Sequence, residues 1–213
     1  MRASRRIAIL ASGSGSNMEA IAAACEQPET PAEVGLVICN VPNAGVLKRA
    51  EKRKIPNLCI DHRQFESRGE FEQKMLEALH AAAIELVVLA GFMRILTDHF
   101  IEEYYGSLLN IHPSLLPKYP GLNTHQRALD AGDRESGATV HFVTPELDAG
   151  PSILQATVAI RPEDDATSLA ARVQEQEHRI YPLAVRWCVE KKVELRDGQV
   201  WKDESIMSNG INA

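Results

Sequence analysis

Two stretches of the chain carry side chains whose types and spacing suit proton transfer and oxyanion binding. In "LLNIHPSLLPKYPG", residues 108–121, an Asn and a His stand two apart just before Pro113. If Leu108 to His112 is extended, Asn110 and His112 share one face while Leu109 and Ile111 take the other. An imidazole placed there can give or take a proton near neutral pH, and a fixed amide can donate to a developing oxyanion. The plainer reading is a strand-end His bonded to nearby backbone and an Asn serving the turn, and the pair alone fits that better. In "VHFVTPELDAGP", residues 140–151, a strand runs into a polar turn that carries Asp148 ahead of Gly150 and Pro151. A carboxylate against a histidine favours the imidazolium and fixes the ring's orientation. An Asx-turn is the competing role for Asp148. For His141 the preferred reading is a strand histidine satisfied by a neighbour.

A third stretch, "ASGSGSNMEA" at residues 11–20, is a Gly-rich turn between a strand pattern and a helix pattern. Such a turn aims backbone N–H groups at whatever lies above it, and the helix dipole favours an anion there. A dinucleotide fingerprint would need glycine where Met18 stands and an acid where "VICNVPN" offers Asn40. No Gly-Lys-Ser/Thr follows either. What remains is a cradle for one phosphate, with Gly15, Ser16 and Asn17 as donors, or an unliganded turn capped by Ser16 or Asn17. Both readings stay open on these residues alone. Further on, "RVQEQEH" puts Gln174 and Glu177 three apart on one helix face, which by itself reads as a solvated surface.

The elements that must position these groups alternate between short β-rich apolar runs and helical patterns, the signature of a parallel α/β sheet. Strands are expected at "RIAILAS", "VGLVICN", "PNLCID", "ELVVLAG", "SLLNIH", "GATVHFV" and "SILQATVAI". Helices are expected at "NMEAIAAACEQ", "AGVLKRAEKRK", "FEQKMLEALHAAA", "TDHFIEEYY" and "THQRALDA", followed by a long one from Ala166 with a kink at Pro182. "VELRDGQVW" reads as a hairpin around Asp-Gly. The predicted fold is a single Rossmann-like α/β domain over 1–213, with a mostly parallel central sheet, helices on both faces, and a C-terminal long helix and hairpin. The tail after about residue 203 is expected to be loosely held. The peptide before Pro117 can be cis or trans.

Composition narrows the partners. With 213 residues and a net charge of −6, and a pI near 5.7, the chain has no basic run interleaved with aromatics, so neither nucleic acid nor membrane is the expected partner. The apolar core of the N-terminal segment is too short for a signal peptide, and a cytoplasmic location is expected. Cys25, Cys39, Cys59 and Cys188 form no CxxC pair and read as reduced thiols. No His/Cys spacing suggests a metal site, so none is expected.

Taken in order, "SGSGSN", "LAGFMRIL", "LLNIHPSLLPKYPG", "VHFVTPELDAGP" and "RVQEQEHRIYP" closely resemble the phosphoribosylglycinamide formyltransferases, a family of folate-dependent enzymes, over nearly the whole chain. The resemblance implies transfer of a formyl group from the co-substrate 10-formyltetrahydrofolate to the amine of glycinamide ribonucleotide, in purine synthesis, by a monomer or homodimer. It implies that the N-terminal half holds the nucleotide's phosphate on Gly15, Ser16 and Asn17, with Gln174 and Glu177 reaching the same nucleotide. It implies that the C-terminal half carries folate binding and catalysis, with Asn110, His112 and Asp148 as the catalytic trio. Folate contacts are implied for Arg68, for Met93, Arg94, Ile95 and Leu96, for Asn110, and for Thr144, Pro145, Glu146, Leu147 and Asp148. Ser14 departs from a close relative that carries Asn there. Rival readings are a formyltetrahydrofolate deformylase with water as acceptor, a methionyl-tRNA formyltransferase, and a non-catalytic nucleotide-binding module.

Overall fold

In the first strand, β1 (Arg5–Ala11), every side chain from Ile7 to Ala11 is fully buried, with no alternation between faces. A strand covered on both sides has no polar face to show, which is why the sequence there is an apolar run. The structure is a computed structural model that describes residues 4–207 and the backbone of 211–212. The chain divides into two compact units, Met1–Leu109 and Asn110–Ala213.

In the first unit, β1 lies between β2 (Ala32–Cys39) and β4 (Leu86–Leu89), and β3 (Asn57–Cys59) flanks β2; all three pairings are parallel. Parallel neighbours need crossovers, and these are α1 (Ser16–Cys25), α2 (Gly45–Lys52) and α3 (Arg68–Ala81). Helix α3 starts three residues before the apolar pattern suggests, because Ser67 caps it by accepting from Glu70 N at 3.2 Å. At α4 (Asp98–Glu103) the expected Thr97 cap is present, its hydroxyl accepting from Phe100 N.

Strand β5 (Leu108–His112) begins in the first unit and ends in the second, which also holds α5 (Thr124–Asp130), β6 (Glu135–Phe142), β7 (Ser152–Ala159) and the long α6 (Ala166–Val189). Strands β5, β6 and β7 are successive neighbours, and β6 and β7 run antiparallel. A reciprocal Asp165–Ser168 capping box starts α6, and Pro182 lies inside it. The hairpin of β8 (Val193–Arg196) and β9 (Gln199–Lys202) turns at Asp197 and Gly198, both at positive φ, as its two-residue turn requires. The mostly parallel α/β fold with a C-terminal long helix and hairpin is thus as expected.

The sequence patterns missed three short elements: a 3-10 turn at His62–Gln64, β10 (Ser205–Ile206), and β11 (Ile211–Asn212), which pairs with β7. β10 pairs with β9, so part of the tail expected to be loose is hydrogen-bonded; residues 208–210 and 213 lie outside the described residues. The Leu116–Pro117 peptide is cis. All four cysteines are free thiols. Among the described residues no helix is long and apolar enough to cross a membrane.

Candidate active site

Extended backbone at β5 puts Asn110 and His112 on one face at the end of the strand, and the chain then leaves through Pro113. His112 is 5% exposed, and each of its ring nitrogens faces an acceptor. Nε2 is 2.8 Å from Tyr119 O, a carbonyl that can only accept, so this nitrogen carries a hydrogen. Nδ1 is 3.3 Å from Asp148 Oδ2. The carboxylate is itself anchored, because Oδ2 accepts from Gly121 N at 2.8 Å. Asp148 sits at φ 53, a left-handed conformation that Asp tolerates better than most residues. Its turn is pressed onto β6 by Gly150, where a Cβ would overlap Phe142 O.

The residue that joins this group together is one the sequence reading set aside. His141, on β6, is 2% exposed and lies between the other members. Its Nδ1 is 2.9 Å from Phe142 O, and its Nε2 is 3.2 Å from Asn110 Nδ2 and 3.8 Å from Asp148 Oδ1. Desolvation by burial lowers its pKa, outweighing the Phe142 carbonyl and the Asp148 carboxylate, which pull the other way; His112 adds to the lowering. A neutral ring whose Nδ1 hydrogen goes to a carbonyl keeps its lone pair on Nε2, and that lone pair accepts from the Asn110 amide. The Asn110 nitrogen carries two hydrogens, and His141 takes one of them. His141 was indeed satisfied by neighbours, but its neighbours include Asn110. The signal was its place on a strand that ends just ahead of Asp148, and a lone strand histidine is too common to give that signal weight.

In the first unit, Gly15 is the N-cap of α1 at φ 82, with no side chain capping the helix. Ser16 and Asn17, considered above as caps, are instead the first two residues of the helix. Glycine is required twice over at position 15, since a Cβ would also come within 2.7 Å of Val46 Cα. Arg49, not anticipated from the sequence, donates from Nε to Ser14 O at 2.9 Å and brings a positive charge beside the turn. Met93 and Ile95 are 66% and 59% exposed, two large apolar side chains turned to the surface two residues apart. Arg94 is exposed and Leu96 buried, while Arg68 is exposed at the start of α3.

In the second unit, Pro145, Glu146 and Leu147 are exposed and Thr144 is half-buried. On α6, Gln174 is exposed and Glu177 buried. A cleft of about 610 Å³ borders the Asp148 turn and is lined by Leu116, Pro117, Gln155 and Val200 among others; Asn110 and His112 are not part of it. Among the described residues no group of three His, Cys, Asp or Glu side chains could hold a metal ion.

A sheet of this kind, with a histidine, a carboxylate and an amide gathered beyond a strand end, has the parts an enzyme needs for proton transfer and oxyanion binding. Residues 5–185 match the formyl transferase family, and the chain belongs to it. It is 45% identical over 199 residues to the phosphoribosylglycinamide formyltransferase of Haemophilus influenzae, covering 93% of this chain and 94% of that one. The enzyme of that name from Escherichia coli is 45% identical over 197 residues, covering 92% and 93%. The solved structure of the Coxiella burnetii phosphoribosylglycinamide formyltransferase matches with a TM-score of 0.94 at 42% identity, covering 98% of this chain and 99% of that one.

Proposed function

We propose that this protein transfers the formyl group of 10-formyltetrahydrofolate to the amine of phosphoribosylglycinamide in purine biosynthesis. The observation that carries the reading is the convergence of Asn110, His112 and Asp148, with His141 between them, in a chain of the formyl transferase family. The N-terminus of α1, with a glycine at its cap position, suits the nucleotide's phosphate through the N–H groups around Gly15, Ser16 and Asn17, with Gln174 and Glu177 on the same nucleotide. The exposed Met93 and Ile95, with Leu96, suit the flat ring faces of the folate, and Arg94 and Arg68 suit its anionic end; Thr144, Pro145, Glu146, Leu147 and Asp148 complete its surroundings. Both halves then act as one formyltransferase domain.

The neutral amine attacks the formyl carbon, and the carbonyl's π electrons move to oxygen. Asn110 supplies the amide hydrogen that His141 does not use, and His112 supplies positive charge; removing one donor of this kind typically costs about a hundred- to a thousandfold in turnover. Asp148 and Tyr119 O hold the His112 ring between them, and Asp148 takes part in moving the amine's proton to N10 of the leaving folate. The C–N10 bond breaks as that nitrogen gains the proton, and the formyl C=O re-forms.

Formyl transfer measured with and without phosphoribosylglycinamide tests the reading. The expected result is folate turnover that depends on the nucleotide. Equal turnover without it would favour hydrolysis by water and overturn the assignment.

A further inference from the structure

Strands β4, β1 and β2 are adjacent and parallel, and their carboxyl ends are tied together beyond the last ladder bond. Ala90 N donates to Leu10 O at 2.8 Å and Ser12 N donates to Gly91 O at 3.0 Å. There the ladder stops, because Gly91 turns away at φ 72. The next donor, Met93 N–H, finds the Ser12 hydroxyl at 2.8 Å instead of a carbonyl. That hydroxyl gives its own hydrogen to Asn40 Oδ1 at 2.6 Å. The result is a one-way chain from Met93 N–H through Ser12 Oγ–H to Asn40 Oδ1, and bonds in such a chain polarise and strengthen one another. Asn40 follows β2 directly and is 2% exposed. This is where dinucleotide-binding sheets place an acid for the ribose, but here the side-chain oxygen is engaged inward.

Ser12 therefore touches two segments at once. It immediately precedes the Gly13–Asn17 turn, and it fixes the turn that displays Met93 and Ile95. The far end of that displayed segment is held separately, since Thr97 N donates to Glu72 Oε1 at 3.0 Å on the buried Glu72. We propose that Ser12 is a positioning residue that couples nucleotide binding at residues 13–17 to folate binding at residues 93–96. The proposal rests on the function given above. Anything that draws the 13–17 turn towards a phosphate shifts the hydroxyl on which Met93 hangs, and linkage requires the reverse effect to be equal.

The test compares the parent with Ser12→Ala and Ser12→Thr, reading the dissociation constant of a non-transferable folate analogue with and without phosphoribosylglycinamide. The parent is expected to bind the analogue about fivefold more tightly when the nucleotide is present, the factor one net hydrogen bond supplies. In Ser12→Ala that factor falls to about one, and Ser12→Thr, which keeps the hydroxyl, restores it. A bond that merely stabilises the turn would lower the melting temperature and weaken each ligand alone, but would leave the ratio unchanged. In case Ser12→Ala folds poorly, amide exchange at Met93 is measured in the parent, where the nucleotide is expected to slow it about fivefold. An unchanged coupling factor in Ser12→Ala, a factor of one in the parent, or a Met93 amide indifferent to the nucleotide overturns the proposal. A parent that cannot formylate the nucleotide removes the functional reading and this proposal with it. A parent that formylates it while Ser12→Ala keeps the coupling removes this proposal alone.

Discussion

Replacing Asp148 by Asn changes one charge and almost no shape, which makes it the sharpest probe of the proposed chemistry. The amide oxygen can take the place of Oδ2 and still accept from Gly121 N, so the turn is expected to lose about 1 kcal/mol or less of stability. What disappears is a negative charge 3.3 Å from His112 Nδ1. For a cationic ring at that distance, and an effective dielectric of about 20, the lost attraction is roughly 5 kcal/mol. At 1.36 kcal/mol per decade this caps the loss at between a thousand- and ten-thousandfold in rate, reached only where the whole attraction is gained on the way to the transition state. The amide dipole recovers part of it, so turnover is expected to fall by about 10² to 10⁴. The Michaelis constant for the nucleotide should move little, because the interaction strengthens as charge develops. Steady-state formyl transfer measures the first quantity and calorimetric titration with the nucleotide supports the second. A folded Asp148→Asn protein with turnover within tenfold of the parent would refute the role given to this carboxylate.

Two other outcomes follow from the same region. Gly150→Ala places a methyl against Phe142 O and should destabilise the chain by about 3 kcal/mol or more, read as a lower urea midpoint with an unchanged slope; a loss under about 1 kcal/mol would mean the turn is free to move. His141 is held neutral by burial, its pKa below the ordinary 6.5, so on acidification the unfolded chain takes up the proton first and stability declines as pH drops through 6.5. The slope from this group is at most about 1.4 kcal/mol per pH unit, and the half-buried His125, also lowered by desolvation, contributes with the same sign. Urea unfolding at several pH values between 5 and 7.5 should show the decline, and His141→Gln should make it shallower. Stability rising on acidification across this range would contradict the sign.

The fold was legible because its signals are local and redundant. The apolar runs of β1 and β4, the Thr97 cap and the Asp197–Gly198 turn each announce themselves within a few residues. Asn110, His112 and Asp148 were also visible as residue types at strand and turn ends. Their convergence was not, because the distance between His112 and Asp148 depends on Gly150 seating the turn against β6, a steric fact with no periodicity to read. His141 shows the opposite failure. Its spacing was plain, but its importance lies in which neighbour takes its lone pair, and that is decided only once β5 and β6 lie side by side. The Ser12–Asn40 bond is of the same kind, joining residues 28 apart in the chain.

The groups assigned to formyl chemistry fall between residues 110 and 148, all in the second compact unit, while the turn assigned to the phosphate lies in the first. On the proposed reading, phosphate binding and proton handling are thus written on separate stretches of the gene. A laboratory selection for a different phosphate-bearing acceptor can randomise codons 13, 14, 16 and 17 and leave Ser12, Gly15 and 110–148 untouched, so that the search explores recognition without repeatedly breaking the turn.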